Sequence, residues 1–191
     1  MPKITAPTVA EHRASQREAL IIAGENILRS GGLAKFSPTS VSERAGIARS
    51  SFYDYFPSKD DLLVSIAISA MERWDAEIEE DLHAVEPGTA ELQAFVAATM
   101  RMTADGEHEI AAIVREADLT PSKVDELMAL HDALFRPVIR VLTGLGMDSS
   151  QTSIILIHGV LNAGVQLVAH GVDHEQVAAD VFRLLTQGLI T

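Results

Sequence analysis

Thr39 to Leu63 reads TSVSERAGIARSSFYDYFPSKDDLL, and this stretch decides the fold. Val41 and Ala45, four apart, give a short helix an inward face over about Ser40 to Ala45. Gly46 follows, where a left-handed turn is free of β-carbon strain. A second short helix starts near Arg49. Phe52 and Phe56 share its buried face, and Ile47 fills the angle between the two helices. Arg49, Ser50, Ser51 and Asp54 are thereby turned outward. Pro57 ends this helix, because the residue before a proline avoids the helical region. Ser58, with Asp61 three residues on, caps a third helix. Helix, glycine turn and polar second helix are the order of a helix-turn-helix DNA reader.

The side chains suit that task. Arg49 can fork onto a guanine edge, and Ser50 and Ser51 can reach a base or a phosphate. Tyr53, ahead of Tyr55, can donate its hydroxyl to the DNA backbone, and Lys59 is placed for a phosphate. The helix starts at Thr39–Ser40 and Ser58 also favour phosphate. Arg13 and Arg17, four apart upstream, either reach a neighbouring phosphate or groove or are an exposed pair serving solubility. Asp54 would repel phosphate, and a cytosine amino group is its alternative partner.

Charge is divided along the chain. The net formal charge is -12, yet residues 1–60 hold eight basic and six acidic residues, while residues 61–191 hold seven and 21. Local charge governs phosphate contact, and a distant acidic body mainly limits non-specific binding. Of the 191 residues, 47% are hydrophobic, enough for a packed core, and none is cysteine. This excludes disulfides and thiol chemistry and suits a reducing cytoplasm. The start, MPKITAPTVAEHR, lacks an apolar signal core. The apolar run at 154–169 is interrupted by Asn, Gln, His and Gly and is expected to fall short of a membrane span. A soluble, cytoplasmic protein without a membrane partner is expected.

Apolar residues recur at three and four, and no alternating stretch of strand length appears. Caps are expected at Ser40/Glu43, Ser58/Asp61, Ser122/Asp125, Asp148/Gln151 and Asp173/Gln176, and Thr89 opens a helix after Pro87-Gly88. Gly31-Gly32, Gly46, Gly144 and Gly171 mark helix ends. About nine helices result, in an all-α fold. Residues 1–58 form the arm and reader, with the helix-turn-helix at about 39–58, and residues 59–191 form a helical body.

Ala45-Gly46-Ile47, Phe52-Tyr53, Tyr55-Phe56-Pro57, Ser58-Lys59 and Leu62-Leu63 together resemble the TetR family of transcriptional regulators. The resemblance covers about residues 13–65, with Ser42 standing where the family usually has alanine. It implies a helical body that binds a small-molecule effector and dimerises through its last two long helices, and a double-stranded operator released by that effector. On the residues themselves, Gly159, Ala163 and Gly164 would let a second helix approach closely, and Val177, Val181, Leu184, Leu185 and Leu189 form an apolar stripe. These faces pack either between two copies or within one.

Met71, Trp74, Phe95, Met100, Met102, His131 and Phe135 either line an effector pocket or are plain core, beside a kink expected at Pro137 in a helix running from Ser122 to Thr143. His158, Asn162 and Gln166, four apart on an apolar helix, need partners if buried: a ligand, the dimer, or nearby backbone. No catalytic residue, metal or cofactor is expected. A di-iron enzyme would draw on Glu80-x-x-His83 and Asp105-x-x-His108, but the first lies in a charged stretch and the second surrounds Gly106. No G-x-S-x-G elbow or Gly-rich phosphate loop occurs. A helical adaptor without DNA binding is the remaining alternative.

Overall fold

The computed structural model describes residues 9–148 and 150–188. Among these described residues ten helices follow in order: α1 Val9–Lys35, α2 Pro38–Ala45, α3 Arg49–Tyr55, α4 Lys59–His83, α5 Thr89–Ala104, α6 Glu109–Arg115, α7 Pro121–Ala133, α8 Arg136–Gly144, α9 Gln151–Ala169 and α10 His174–Gln187. No strand occurs among the described residues. The chain divides into two compact units. One holds residues to Ser69 together with Ile110–Val124, and the other holds Ala70–Glu109 and Asp125 onward. The compact division thus falls inside α4, beyond the expected 58/59 boundary, and adds Ile110–Val124 to the first unit.

In the first unit, Leu20, Leu28, Val41, Phe52, Phe56, Leu62 and Ile66 are all but sealed from solvent. Burying such side chains is the main drive for folding, about 1.5–3 kcal/mol each before entropy is subtracted. Gly24 sets how closely α1 meets α4: a β-carbon there would lie 2.6 Å from Ile66 Cδ1 and 3.1 Å from Phe36 Cε2. The turn after α2 uses Gly46 at φ 68°, ψ 28°. Phe56, ahead of Pro57, is extended at φ -133°, ψ 115°, as the proline requires.

In the second unit, α5 packs against α8, α9 and α10. Leu92, Val96, Met100, Met102, Val138 and Leu161 form its buried centre. Arg101 on α5 binds Glu77 at 2.8 Å and Asp81 at 3.1 Å. Hydrogen bonding to Glu77, the larger cause, and to Asp81 raises its already high pKa.

Several expected boundaries move. The cap of α2 is Ser37, not Ser40: the Ser40 amide donates to Ser37 Oγ at 3.1 Å, and Ser40 Oγ accepts from the Ser37 amide at 3.1 Å. Pro38 then occupies the first turn, where its missing N–H costs nothing. Helix α7 begins at Pro121, ahead of Ser122. Helix α9 is capped by Ser150, which accepts from the Ser153 amide at 3.3 Å, while Asp148 accepts from the Ser150 amide at 3.1 Å. Asp173 and Ser58 cap as expected, accepting from Gln176 at 2.9 Å and Asp61 at 3.2 Å.

The expected helix from Ser122 to Thr143 is two helices. Pro137 does not kink it but lies in the first turn of α8, where its missing N–H costs no bond within the helix. The backbone amides of Leu134 and Phe135 bridge the break by donating hydrogen bonds to the His131 and Asp132 carbonyls, at 3.1 and 3.3 Å. Helix α9 also departs from expectation: by length and composition its 19 residues do suffice to cross a membrane. Leu189 lies outside the described residues.

Candidate nucleic-acid interface and effector cavity

The reader is built on α2, the Gly46 turn and α3. Phe52 is fully buried and Phe56 nearly so, and this anchors α3. Its other faces are thereby displayed. Arg49 and Ser50 are exposed, Ser51 and Tyr55 half-buried, and Tyr53 is 51% exposed. Tyr53 sits edge-on to Phe52, with ring centroids 5.3 Å apart. The buried ring thus braces one whose hydroxyl remains available. Thr39 and Lys59 are exposed.

Four expected DNA contacts have intramolecular work. Ser40 Oγ donates to the Lys35 carbonyl at 2.8 Å as well as accepting within the cap. Ser58 Oγ donates to Asp61 Oδ2 at 2.7 Å, in a helix start that already carries Asp60 and Asp61. Arg13 donates to the Asp54 carbonyl at 2.8 Å and lies 5.5 Å from the Tyr55 ring centroid. Arg17 donates to Ser65 Oγ at 3.1 Å and lies 5.1 Å from the Phe56 ring centroid. Cation–π contact of this kind adds about 0.5–1 kcal/mol at exposed sites. These arginines brace α1 against α3 and α4. The sequence could not show it, since their partners are 41 and 48 residues away.

Sequence reasoning also missed Lys123. Its ammonium pairs with Asp61 at 2.8 Å. Hydrogen bonding from Lys123 first, then from Ser58, holds the Asp61 carboxyl below its ordinary value of 3.8. Ser42 is 1% exposed, and its hydroxyl has no hydrogen-bond partner among the described residues.

In the second unit, Trp74, Phe95, His131, Phe135 and Asn162 from the expected set surround a cavity of about 50 Å³, joined by Thr99, His108, Leu134, Leu161 and Val165. His158 packs on Phe135 at 4.1 Å between ring centroids. Met100 and Met102 are instead solid core, 0% and 1% exposed, and Met71 and Gln166 do not border the cavity. The polar stripe is not a buried one: Asn162 and Gln166 are exposed, and the Gln166 carbonyl pairs with His170 Nδ1 at 2.6 Å.

Gly159, Ala163, Gly164, Val177, Val181 and Leu184 border an apolar groove of about 750 Å³ on α9 and α10. Leu185 packs instead against the core. Ile155, Leu156 and Leu167, also on the groove, are 61%, 64% and 51% exposed.

The residues named for di-iron chemistry are otherwise placed. His83 Nδ1 pairs with the Glu79 carbonyl at 2.7 Å, Asp105 lies 3.8 Å from Arg101, and His108 stacks edge-on to Trp74 at 5.7 Å. Among the described residues no group of three or more His, Asp or Glu is arranged to hold a metal ion.

A helical hairpin with a tight glycine turn, an anchored second helix and an outward Arg-Ser-Tyr face defines a helix-turn-helix DNA-binding transcriptional regulator. Residues 20–66 match the family model "Bacterial regulatory proteins, tetR family". The match runs from within α1 to within α4, the segment that carries the reader. The chain is 23% identical over 133 residues to the Fatty acid metabolism regulator protein of Bacillus subtilis, covering 70% of this chain and 67% of that protein. The fold is similar to that of the regulator FadR from Bacillus subtilis in complex with stearoyl-CoA, with TM-score 0.69, 16% identity, and 91% and 99% of the two chains covered. It is also similar to the TetR-like regulator LfrR from Mycobacterium smegmatis in complex with proflavine, with TM-score 0.62, 21% identity, and 94% and 99% covered.

Proposed function

We propose that this protein acts in the cytoplasm as a homodimeric repressor that leaves a near-palindromic operator when a small molecule occupies its body. The exposed face of α3, with Arg49, Ser50 and Tyr53 turned outward beside Lys59, carries this reading. Arg49 and Ser50 serve base readout; Tyr53, Lys59, Thr39 and Ser51 serve the DNA backbone. The apolar groove on α9 and α10 supports a dimer, since exposed apolar patches of this kind commonly mark association sites. A two-fold pair would offer its readers to successive major grooves.

The two structural relatives bound to stearoyl-CoA and proflavine support a body that takes small molecules. By linkage, such a molecule releases DNA only if it binds the DNA-free state more tightly. Selection of genomic fragments by the purified protein tests the whole reading. Enrichment of a two-fold symmetric site, lost in Arg49→Ala, is the expected result. Failure to enrich any sequence would leave the adaptor reading instead.

A further inference from the structure

Helix α5 carries two threonines one turn apart, and they behave differently. Thr103 donates its hydroxyl back to the Thr99 carbonyl at 2.8 Å, the usual way a helical threonine satisfies itself. Thr99 does not: it is 7% exposed and its hydroxyl has no hydrogen-bond partner among the described residues. Thr99 borders the small cavity, together with Trp74, Phe95, His131, Phe135 and Asn162. A buried polar group left without a partner in a native fold calls for a physical reason, and a ligand at the cavity supplies one.

The chemistry of the walls narrows that ligand. Aromatic rings dominate, and the lining includes no carboxylate, ammonium or guanidinium group. Apart from the imidazoles of His108 and His131, a charged ligand would be desolvated with no ionisable group to meet it. The cavity measures about 50 Å³, whereas a benzene-sized ring occupies one of about 150 Å³. Entry requires one wall to give. Leu134 and Phe135 form that wall at the break between α7 and α8, where the regular helical ladder is interrupted. Moderate widening there admits one ring more readily than a long chain.

We propose that the effector is a small neutral aromatic molecule with a hydroxyl or carbonyl group, its ring seated among Trp74, Phe95 and Phe135 and its polar group bonded to Thr99 Oγ1. The assignment rests on the effector-responsive reading above. Trp74 is the single tryptophan of the chain, so its emission reports on the cavity without DNA. The full-length protein is titrated with p-cresol, acetophenone, toluene and stearoyl-CoA.

Saturable changes in Trp74 emission are expected with the first two, which bind about fivefold to tenfold more tightly than toluene. Thr99→Val should erase that preference and leave toluene binding unchanged, and Thr99→Ser should retain the preference. p-Cresol should also release the protein from a genomic fragment it selects. If stearoyl-CoA saturates the signal and releases DNA while the aromatics do neither, the ligand class is overturned and the effector reading stands. If p-cresol fills the cavity without releasing DNA, the proposal is overturned, while release by stearoyl-CoA would still uphold the effector reading. An unchanged polar preference in Thr99→Val overturns the role of its hydroxyl.

Discussion

Arg13 reaches 41 residues along the chain to donate to the Asp54 carbonyl at 2.8 Å, at the end of the helix proposed to read DNA. Its guanidinium simultaneously lies against the Tyr55 ring. A brace and a phosphate contact make opposite predictions about salt. Each phosphate neutralised contributes a slope of about -0.9 to the dependence of affinity on salt. Arg13→Ala is expected to weaken operator binding severalfold, by loosening α3, with the salt slope unchanged. A slope flattened by about one unit, measured by fluorescence anisotropy across a salt series, would return Arg13 to the phosphate contacts.

Lys59 gives the converse expectation. It is exposed at the start of α4, where Asp60 and Asp61 already complement the helix dipole. Lys59→Ala should weaken binding across operator sequences and flatten the salt slope by about one unit. Tyr53→Phe should weaken binding with little effect on the slope, since only a neutral hydroxyl is lost. Equal slopes for the wild type and Lys59→Ala would remove Lys59 from the interface.

Ser42 is a small flaw in the packing of the reader. Its buried hydroxyl lacks a partner among the described residues, and its helix would favour alanine. Ser42→Ala should stabilise the protein by about 1 kcal/mol, read as a higher urea midpoint, without altering operator affinity. Destabilisation would mean that the hydroxyl has a partner in solution.

What was legible in the sequence was local. Gly46, Phe56-Pro57 and the Ser58/Asp61 cap lie within a few residues of the structure they dictate, so the reader emerged nearly whole. The start of α2 was misplaced because two signals compete there: Ser40-x-x-Glu43 has the spacing of a capping box, but Ser37-Pro38 has the cap and first-turn proline. Pro137 announced a disruption without saying whether the helix bends or restarts. The cavity was only partly legible. Helical period groups His158, Asn162 and Gln166 on one face, but neighbouring helices decide what covers it. Thr99 gave no signal, because its missing bond exists only in three dimensions.

The Asp61–Lys123 pair contributes to the acid response of the first unit. Its folded pKa lies below the ordinary 3.8, chiefly through Lys123. A carboxyl with a depressed folded pKa contributes stability above its unfolded pKa, and that contribution disappears as pH falls through the folded value. The loss should therefore begin near pH 4 and continue below it. Asp61→Asn should show a shallower fall in urea midpoint from pH 5 downward than the wild type. Parallel curves would mean that the pair contributes nothing to stability in solution.

Gly159 and Gly164 separate the proposed interface from the monomer core. A β-carbon on Gly159 meets nothing within 4 Å, whereas one on Gly164 would lie 2.7 Å from Met100 Cε and 2.9 Å from Val181 Cγ2. Met100 can swing its flexible end away, but the β-branched Val181 is stiff. Gly164→Ala should accordingly lower stability by about 1–3 kcal/mol, partly offset by alanine's helix preference. Gly159→Leu should preserve the monomer fold, since its side chain enters open space beside the groove. It should nevertheless shift the protein from dimer to monomer in light scattering, because a partner helix could no longer approach. An unfolded Gly159→Leu chain would contradict the open surroundings of this position, and a persistent tight dimer would move the interface away from α9 and α10.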